Sequence, residues 1–141
     1  MTHDEAERFF AEQQSEWNAH DAAALASRHT SDGTIVSPIF KTVQGTEEIL
    51  RSYQTLFATF PDWRYVAERL VVDGDRLAQE FVVHATHSAE FMGLPGSGRK
   101  FEIAGVRLFE MHQGRIAYER RYYDFTGLLI QLGVLRGKPA R

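Results

Sequence analysis

The sequence predicts an α+β domain in which N-terminal helices lie on one face of a curved antiparallel sheet and enclose an apolar pocket containing a carboxylate. Two observations carry that expectation. Apolar residues recur at helical spacing as far as Pro61, and beyond it long strand-like segments are joined by short Gly turns. Helices first and strands afterwards place the helices on one side of a sheet. With 141 residues, the chain suits one domain and is too short for two ordinary ones, so 1–141 reads as a single unit.

The elements follow in order. Residues 2–20 put Phe9, Phe10, Gln13 and Trp17 at helical spacing, with Thr2 or Asp4 as the cap. Asp21 restarts a short Ala-rich helix that reaches His29. Ser31-Asp32-Gly33 reads as a turn and Thr34-Ile35-Val36 as a short strand. The helix opening at Thr46 carries Ile49, Tyr53, Leu56, Phe57 and Phe60 on one stripe, and Pro61 ends it. Segments 63–72 and 75–87 flank Asp73-Gly74, a hairpin signal. Residues 91–99 are a Gly/Pro loop, and 100–111 pairs with 115–125 around Gln113-Gly114. A short amphipathic helix over 127–132 and a basic tail close the chain.

Strand parity predicts which side chains meet. With Gln113-Gly114 as a two-residue loop, Arg107 faces Arg120, and Tyr122 and Asp124 share their apolar face. Glu119 and Arg121 then point the other way. The same arithmetic around Asp73-Gly74 sets Trp63 opposite His84.

Composition excludes several classes. Hydrophobic residues at 43% and charged residues at 25% are globular proportions. The absence of cysteine removes disulfides, thiolate metal sites and a cysteine nucleophile, and favours a reducing compartment. A net charge of −3 argues against nucleic acid as a partner. No apolar run is long enough for a membrane span, and no apolar signal core follows the acidic start, so a cytoplasmic location is expected.

Asp124 is the first candidate for chemistry. A carboxylate in an apolar cavity has its pKa raised by burial and can take a proton from carbon beside a carbonyl. Its competing role is structural, because Asp124-Phe125-Thr126-Gly127 is a credible helix start. Arg107 and Arg120, set opposite each other, repel unless an anion lies between them. That anion is Asp124, Glu80, or an acidic or enolate-like ligand oxygen. His87, before the Gly/Pro loop, is a candidate donor to a substrate carbonyl. His84 and His87 point to opposite faces of a strand and cannot pair on a metal. No ligand-spaced cluster is present, so neither metal nor cofactor is expected. Trp17, Phe40, Tyr53, Trp63, Phe91 and Tyr122 are the expected lining for a small-molecule ligand or substrate.

Several stretches carry a family resemblance. They are Thr86-His87-Ser88-Ala89-Glu90-Phe91-Met92-Gly93-Leu94-Pro95 with Gly98-Arg99, then Gly105-Val106-Arg107 and Gly114-Arg115-Ile116. Asp124 with Gly127-Leu128-Leu129-Ile130-Gln131-Leu132-Gly133 completes the set. Weaker matches are Trp17-Asn18-Ala19-His20-Asp21 and Gly45-Thr46-Glu47-Glu48-Ile49. Together they resemble the SnoaL-like polyketide (ester) cyclase branch of the nuclear-transport-factor-2-like superfamily. The resemblance implies a cone-shaped, curved mixed/antiparallel sheet around a deep pocket, and a homodimer formed through the sheet. It also implies aldol cyclisation or isomerisation without cofactor or metal, with Asp124 as the acid/base. The chain departs from the family pattern at Ala89, where glycine is usual, and at Arg120, where an aromatic is frequent. A cation at 120 implies a smaller or more acidic ligand than a planar polyketide. The alternative readings are a non-catalytic binding module for a small hydrophobic or acidic ligand, and a dimeric interaction protein with a vestigial pocket.

Overall fold

Thr2 starts the first helix. Its hydroxyl accepts from the Glu5 N–H while the Glu5 carboxylate accepts from the Thr2 N–H, so two orphan donors are satisfied reciprocally. The computed structural model describes residues 1–137; the end of the expected basic tail, residues 138–141, lies outside the described residues. Helix α1 (His3–Asn18) buries Ala6, Phe10, Gln13 and Trp17 on one face. Asp21 caps the short α2 (Ala22–Ser27) through the Ala24 N–H.

Strand β1 (His29–Ser37) runs straight through Ser31–Gly33, where the sequence suggested a turn. The segment is a bulge: pairing with the final strand shifts register between His29 and Thr34. A short edge strand, β2 (Lys41–Gln44), follows and had no sequence signal of its own. Helix α3 (Thr46–Thr59) buries Ile49, Ser52, Tyr53, Leu56 and Phe57. The remaining elements are β3 (Arg64–Asp73), β4 (Arg76–Thr86), β5 (Lys100–His112), β6 (Arg115–Tyr123) and α4 (Phe125–Gln131). The six strands form one sheet in the order β2-β1-β6-β5-β4-β3. Its neighbours are antiparallel except β1 and β6, which run parallel, so the sheet is mixed.

One residue decides which side chains enter the interior. Next to the Gln113-Gly114 turn the pairing is the expected one, His112 with Arg115 and Met111 with Ile116. The next pair is Glu110 with Tyr118, so Ala117 is an extra residue in β6. A bulge reverses side-chain parity beyond it. Arg107 therefore lies opposite Arg121 rather than Arg120, and Glu119, Arg121 and Tyr123 take the inward positions. Arg120, Tyr122 and Asp124 are displaced from the interior, correcting the sequence-based assignment of all three. The β3–β4 hairpin makes a parallel correction. Its turn is Gly74-Asp75, and Arg64 rather than Trp63 opposes His84.

The helices pack on the inward face. A main cluster is built around Trp17, Tyr53, Phe60, Trp63, Tyr65, Phe81 and Phe101; a smaller one gathers Ala6, Phe10, Leu77, Phe109, Met111 and Ile116. Gly105 permits a close crossing, because a Cβ there would lie 2.3 Å from the Tyr122 carbonyl oxygen and 2.8 Å from the Phe81 ring. Gln131 of α4 donates to the Glu102 carbonyl and accepts from the Glu102 N–H. Those groups lie on β5 beyond the reach of β6, so the Gln side chain does the work of a missing strand.

Candidate functional site

Arg107 projects from β5 into the interior and is 1% exposed. Its Nε donates to the Tyr65 hydroxyl at 2.9 Å, and Nη2 donates to Gln13 Oε1 at 2.7 Å and Gln79 Oε1 at 2.8 Å. Nη1 donates to Glu119 Oε2 at 3.3 Å. Four elements thus converge on one guanidinium. Its flat faces lie against the Tyr65 and Phe109 rings, with centroids 4.8 and 4.7 Å from Cζ.

Glu119 also accepts from Arg121 Nε at 2.5 Å, and Arg121 Nη2 donates to the Tyr53 hydroxyl at 3.3 Å. Tyr53 is 3.0 Å from His29 Nε2. Burial alone would raise the Glu119 carboxyl, but the Arg121 and Arg107 guanidiniums hold it well below the ordinary carboxylate range. Burial lowers His29 to about 4, with Glu119 opposing and the two arginines reinforcing the shift. His29 is therefore neutral at pH 7. Burial raises the Tyr53 phenol and pushes Tyr65 up to about 12.

The arginines form one end of a cavity. Trp17, Trp63, Tyr65, Tyr123 and Ser37 stand beside them, and Ile39, Phe40, Leu56, Phe81, Val83 and Ile103 complete an apolar wall. The indole Nε1 groups of Trp17 and Trp63 are buried and have no acceptor among the described residues. Gln13 Nε2, His29 Nδ1 and Glu119 Oε1 are also buried without partners. The space open to the centre of a water-sized sphere is about 30 Å³, enough for a water or two. An outer hollow of about 290 Å³, lined by Thr55, Thr59, Phe60, Glu90, Phe91 and Met92, shares Ile39, Phe40 and Leu56 with the inner cavity. These three side chains line both spaces.

Of the residues expected at the site, Trp17, Phe40, Trp63 and Arg107 meet at the inner cavity. Tyr53 lies behind it as a partner of Arg121 and His29. Phe91 lines the outer hollow. Arg120 stacks over Tyr122 at 4.9 Å, and Tyr122 is exposed on the opposite face of the sheet. His87 is buried within its own loop, 2.9 Å from Ser97 Oγ and 3.3 Å from the Leu94 carbonyl, and does not line the cavity. Asp124 is exposed and accepts from the Gly127 N–H at 2.8 Å as the N-cap of α4. The expectation that its carboxylate faces the apolar pocket is corrected, and the reason is the Ala117 bulge. The polar residues that sequence parity missed are Glu119 and Arg121, which the bulge turned inward, and Tyr65, Gln79 and His29. Gln13 carried a signal: a polar residue on the buried stripe of α1 demands a partner.

A mixed six-stranded sheet with helices over a polar-ended apolar cavity is the nuclear-transport-factor-2-like fold. The family model described as SnoaL-like polyketide cyclase matches residues 6–132. The chain belongs to that family. Among solved structures, AclR from Streptomyces galilaeus, a candidate hydroxylase, superposes with a TM-score of 0.84 at 22% identity, over 98% of this chain and 91% of that one. IdmH from Streptomyces antibioticus, a candidate polyketide cyclase, gives 0.76 at 29% identity, over 91% and 98%. TerC, co-crystallised with polyporic acid, gives 0.75 at 14% identity, over 89% and 96%. A search of curated proteins by sequence gave no match.

Proposed function

We propose that the chain binds a small carbonyl compound in the inner cavity and promotes its enolisation, as a step of aldol cyclisation or isomerisation, without a cofactor. The observation that carries this reading is the pairing of an apolar wall with lining residues whose donors lack acceptors among the described residues: Trp17 and Trp63, through their indole N–H groups, in the same cavity as Arg121. Such donors favour the oxygen of a carbonyl most when charge develops on it, which lowers the barrier to losing the α-proton to a water or hydroxide from solvent, since among the described residues no side-chain base lines the cavity. Family membership supports the same chemistry. Movement of Phe40 and Ile39 would join the inner cavity of about 30 Å³ to the outer hollow of about 290 Å³ and reach the ~300 Å³ lower end of ligand pockets. That TerC was crystallised with a small molecule supports a ligand role for a cavity on this fold.

Electrostatic stabilisation, not a dedicated carboxylate base, carries this proposal, since Asp124 serves α4. The test is exchange of the α-protons of cyclohexanone for deuterium, followed by NMR. The protein is expected to accelerate exchange at least about tenfold over buffer, Arg121→Met to abolish the gain, and Asp124→Asn to keep it. A second reading, a binding module without turnover, is favoured by one observation: no carboxylate or imidazole is among the residues lining the cavity. Ligand binding without accelerated exchange would establish it.

We also propose that the outer sheet face pairs two copies. Val66, Val71, Leu108 and Tyr122 are exposed there at 37%, 64%, 42% and 47%, an apolar patch of the kind that marks an interaction surface.

A further inference from the structure

Two guanidiniums and one carboxylate leave the buried cluster with a surplus positive charge. Arg107 and Arg121 share Glu119 Oε2, and among the described residues no other carboxylate comes within 4.0 Å of either. The titratable groups that face them from neighbouring elements are neutral at pH 7: His29 of β1, Tyr53 of α3 and Tyr65 of β3. Tyr123, beside Arg121 on β6, is neutral too, its phenol pushed up to about 12 by burial. Gln13 and Gln79 contribute dipoles only. An unanswered charge in an apolar interior is costly, and an anion in the adjoining cavity answers it.

Residues that line that cavity carry unused donors. Arg121 gives its Nε to Glu119 and its Nη2 to Tyr53, and its Nη1 makes no hydrogen bond among the described residues. Trp17 and Trp63 add indole N–H groups without acceptors, on residues 2% and 8% exposed. The Nε–Nη2 edge of Arg121, which would grip a carboxylate in two-pronged fashion, is already occupied. One free guanidinium nitrogen and two single-donor indoles suit a lone, charge-delocalised oxygen.

We propose that the ligand is an acid bound as its anion: a small, flat phenol or enolised 1,3-dicarbonyl whose ionised oxygen lies against Arg121, Trp17 and Trp63. This rests on the inner cavity being the ligand site and names the class of molecule it takes. The apolar body lies along Phe81 and Ile103 and extends past Phe40 toward the outer hollow. Because the surplus charge favours the ionised form, the site makes the bound molecule a stronger acid than it is in water.

The probe is 4-nitrophenol, whose anion has its own absorbance band, with 4-nitroanisole as its neutral counterpart. Bound 4-nitrophenol is expected to ionise at least about one pH unit lower than free, a tenfold preference for the anion. The anisole is expected to bind at least about tenfold more weakly. Trp63→Phe, which keeps a ring and removes the N–H, is expected to weaken the phenolate several-fold and leave the anisole unchanged. Arg121→Met, checked for folding by circular dichroism, is expected to abolish the pH shift. Equal binding of both probes with no shift would overturn the anion assignment and leave the cavity as the ligand site. Anion binding untouched by both variants would place the phenolate elsewhere and overturn it too. Failure of both probes to bind would remove the cavity reading, and this proposal with it.

Discussion

Glu119 is fully enclosed, with one oxygen shared by two arginines and the other unpartnered. Removing its charge leaves both guanidiniums buried without a counter-ion, so Glu119→Gln is expected to cost about 3–5 kcal/mol in urea denaturation. His29 makes stability depend on pH. Its native pKa of about 4 lies below the ordinary 6.5, so on acidification the unfolded chain takes up the proton first. Stability falls between about pH 6.5 and 4, by on the order of 2–3 kcal/mol. Glu119 acts in the same sense at lower pH: its native pKa lies below the ordinary 4.5, so its stabilisation is present above 4.5 and is lost below it. Denaturation midpoints at pH 7 and pH 5 read the histidine separately, and His29→Gln is expected to flatten that interval.

At the scale of the element, β6 and α4 are governed by two local features. The Ala117 bulge turns Glu119, Arg121 and Tyr123 inward. Deleting Ala117 removes the extra residue and restores uninterrupted alternation from Ile116, so Glu119, Arg121 and Tyr123 keep their inward positions. The expected result is retained cooperative unfolding by circular dichroism, whereas inserting a residue between Tyr118 and Glu119 is expected to abolish it, because a one-residue slip exchanges the two faces of the strand. The Asp124 cap contributes at the junction of β6 and α4. Asp124→Ala is expected to cost about 1 kcal/mol, while Asp124→Asn, which still caps, changes the thermal midpoint little.

Across the whole molecule, one face of the sheet is covered by helices and holds the charged cluster, and the other is open. Among the described residues no helix is long and apolar enough to cross a membrane. The open face carries apolar side chains between charges such as Arg120 and Glu110, which suits an interface that is apolar at its centre and polar at its rim. Leu108→Glu, which places a charge at mid-strand, is expected to convert the proposed homodimer to monomer. Light scattering coupled to size exclusion measures the mass directly.

The helices, both hairpins of the second half, their turn glycines and the closing α4 were legible in the sequence, because each is a local matter of periodicity, capping and glycine at positive φ. Gly74 and Gly114 adopt φ of +59° and +78° in those turns. The placing of Trp17, Phe40, Trp63 and Arg107 at the cavity was legible for the same reason, because an apolar stripe or an inward strand position announces burial, whereas Tyr122 was assigned inward by the parity that the bulge broke. The identity of the charged partners was not. Ala117 has no property that marks it as a bulge, and β1, which pairs parallel with β6 from far along the chain, becomes its neighbour only when the sheet closes. Which carboxylate faces the arginines therefore depended on strand pairing across the fold. Parity carries an error of one residue to every side chain beyond it, and so Glu119 took the interior position that alternation alone had assigned to its neighbours.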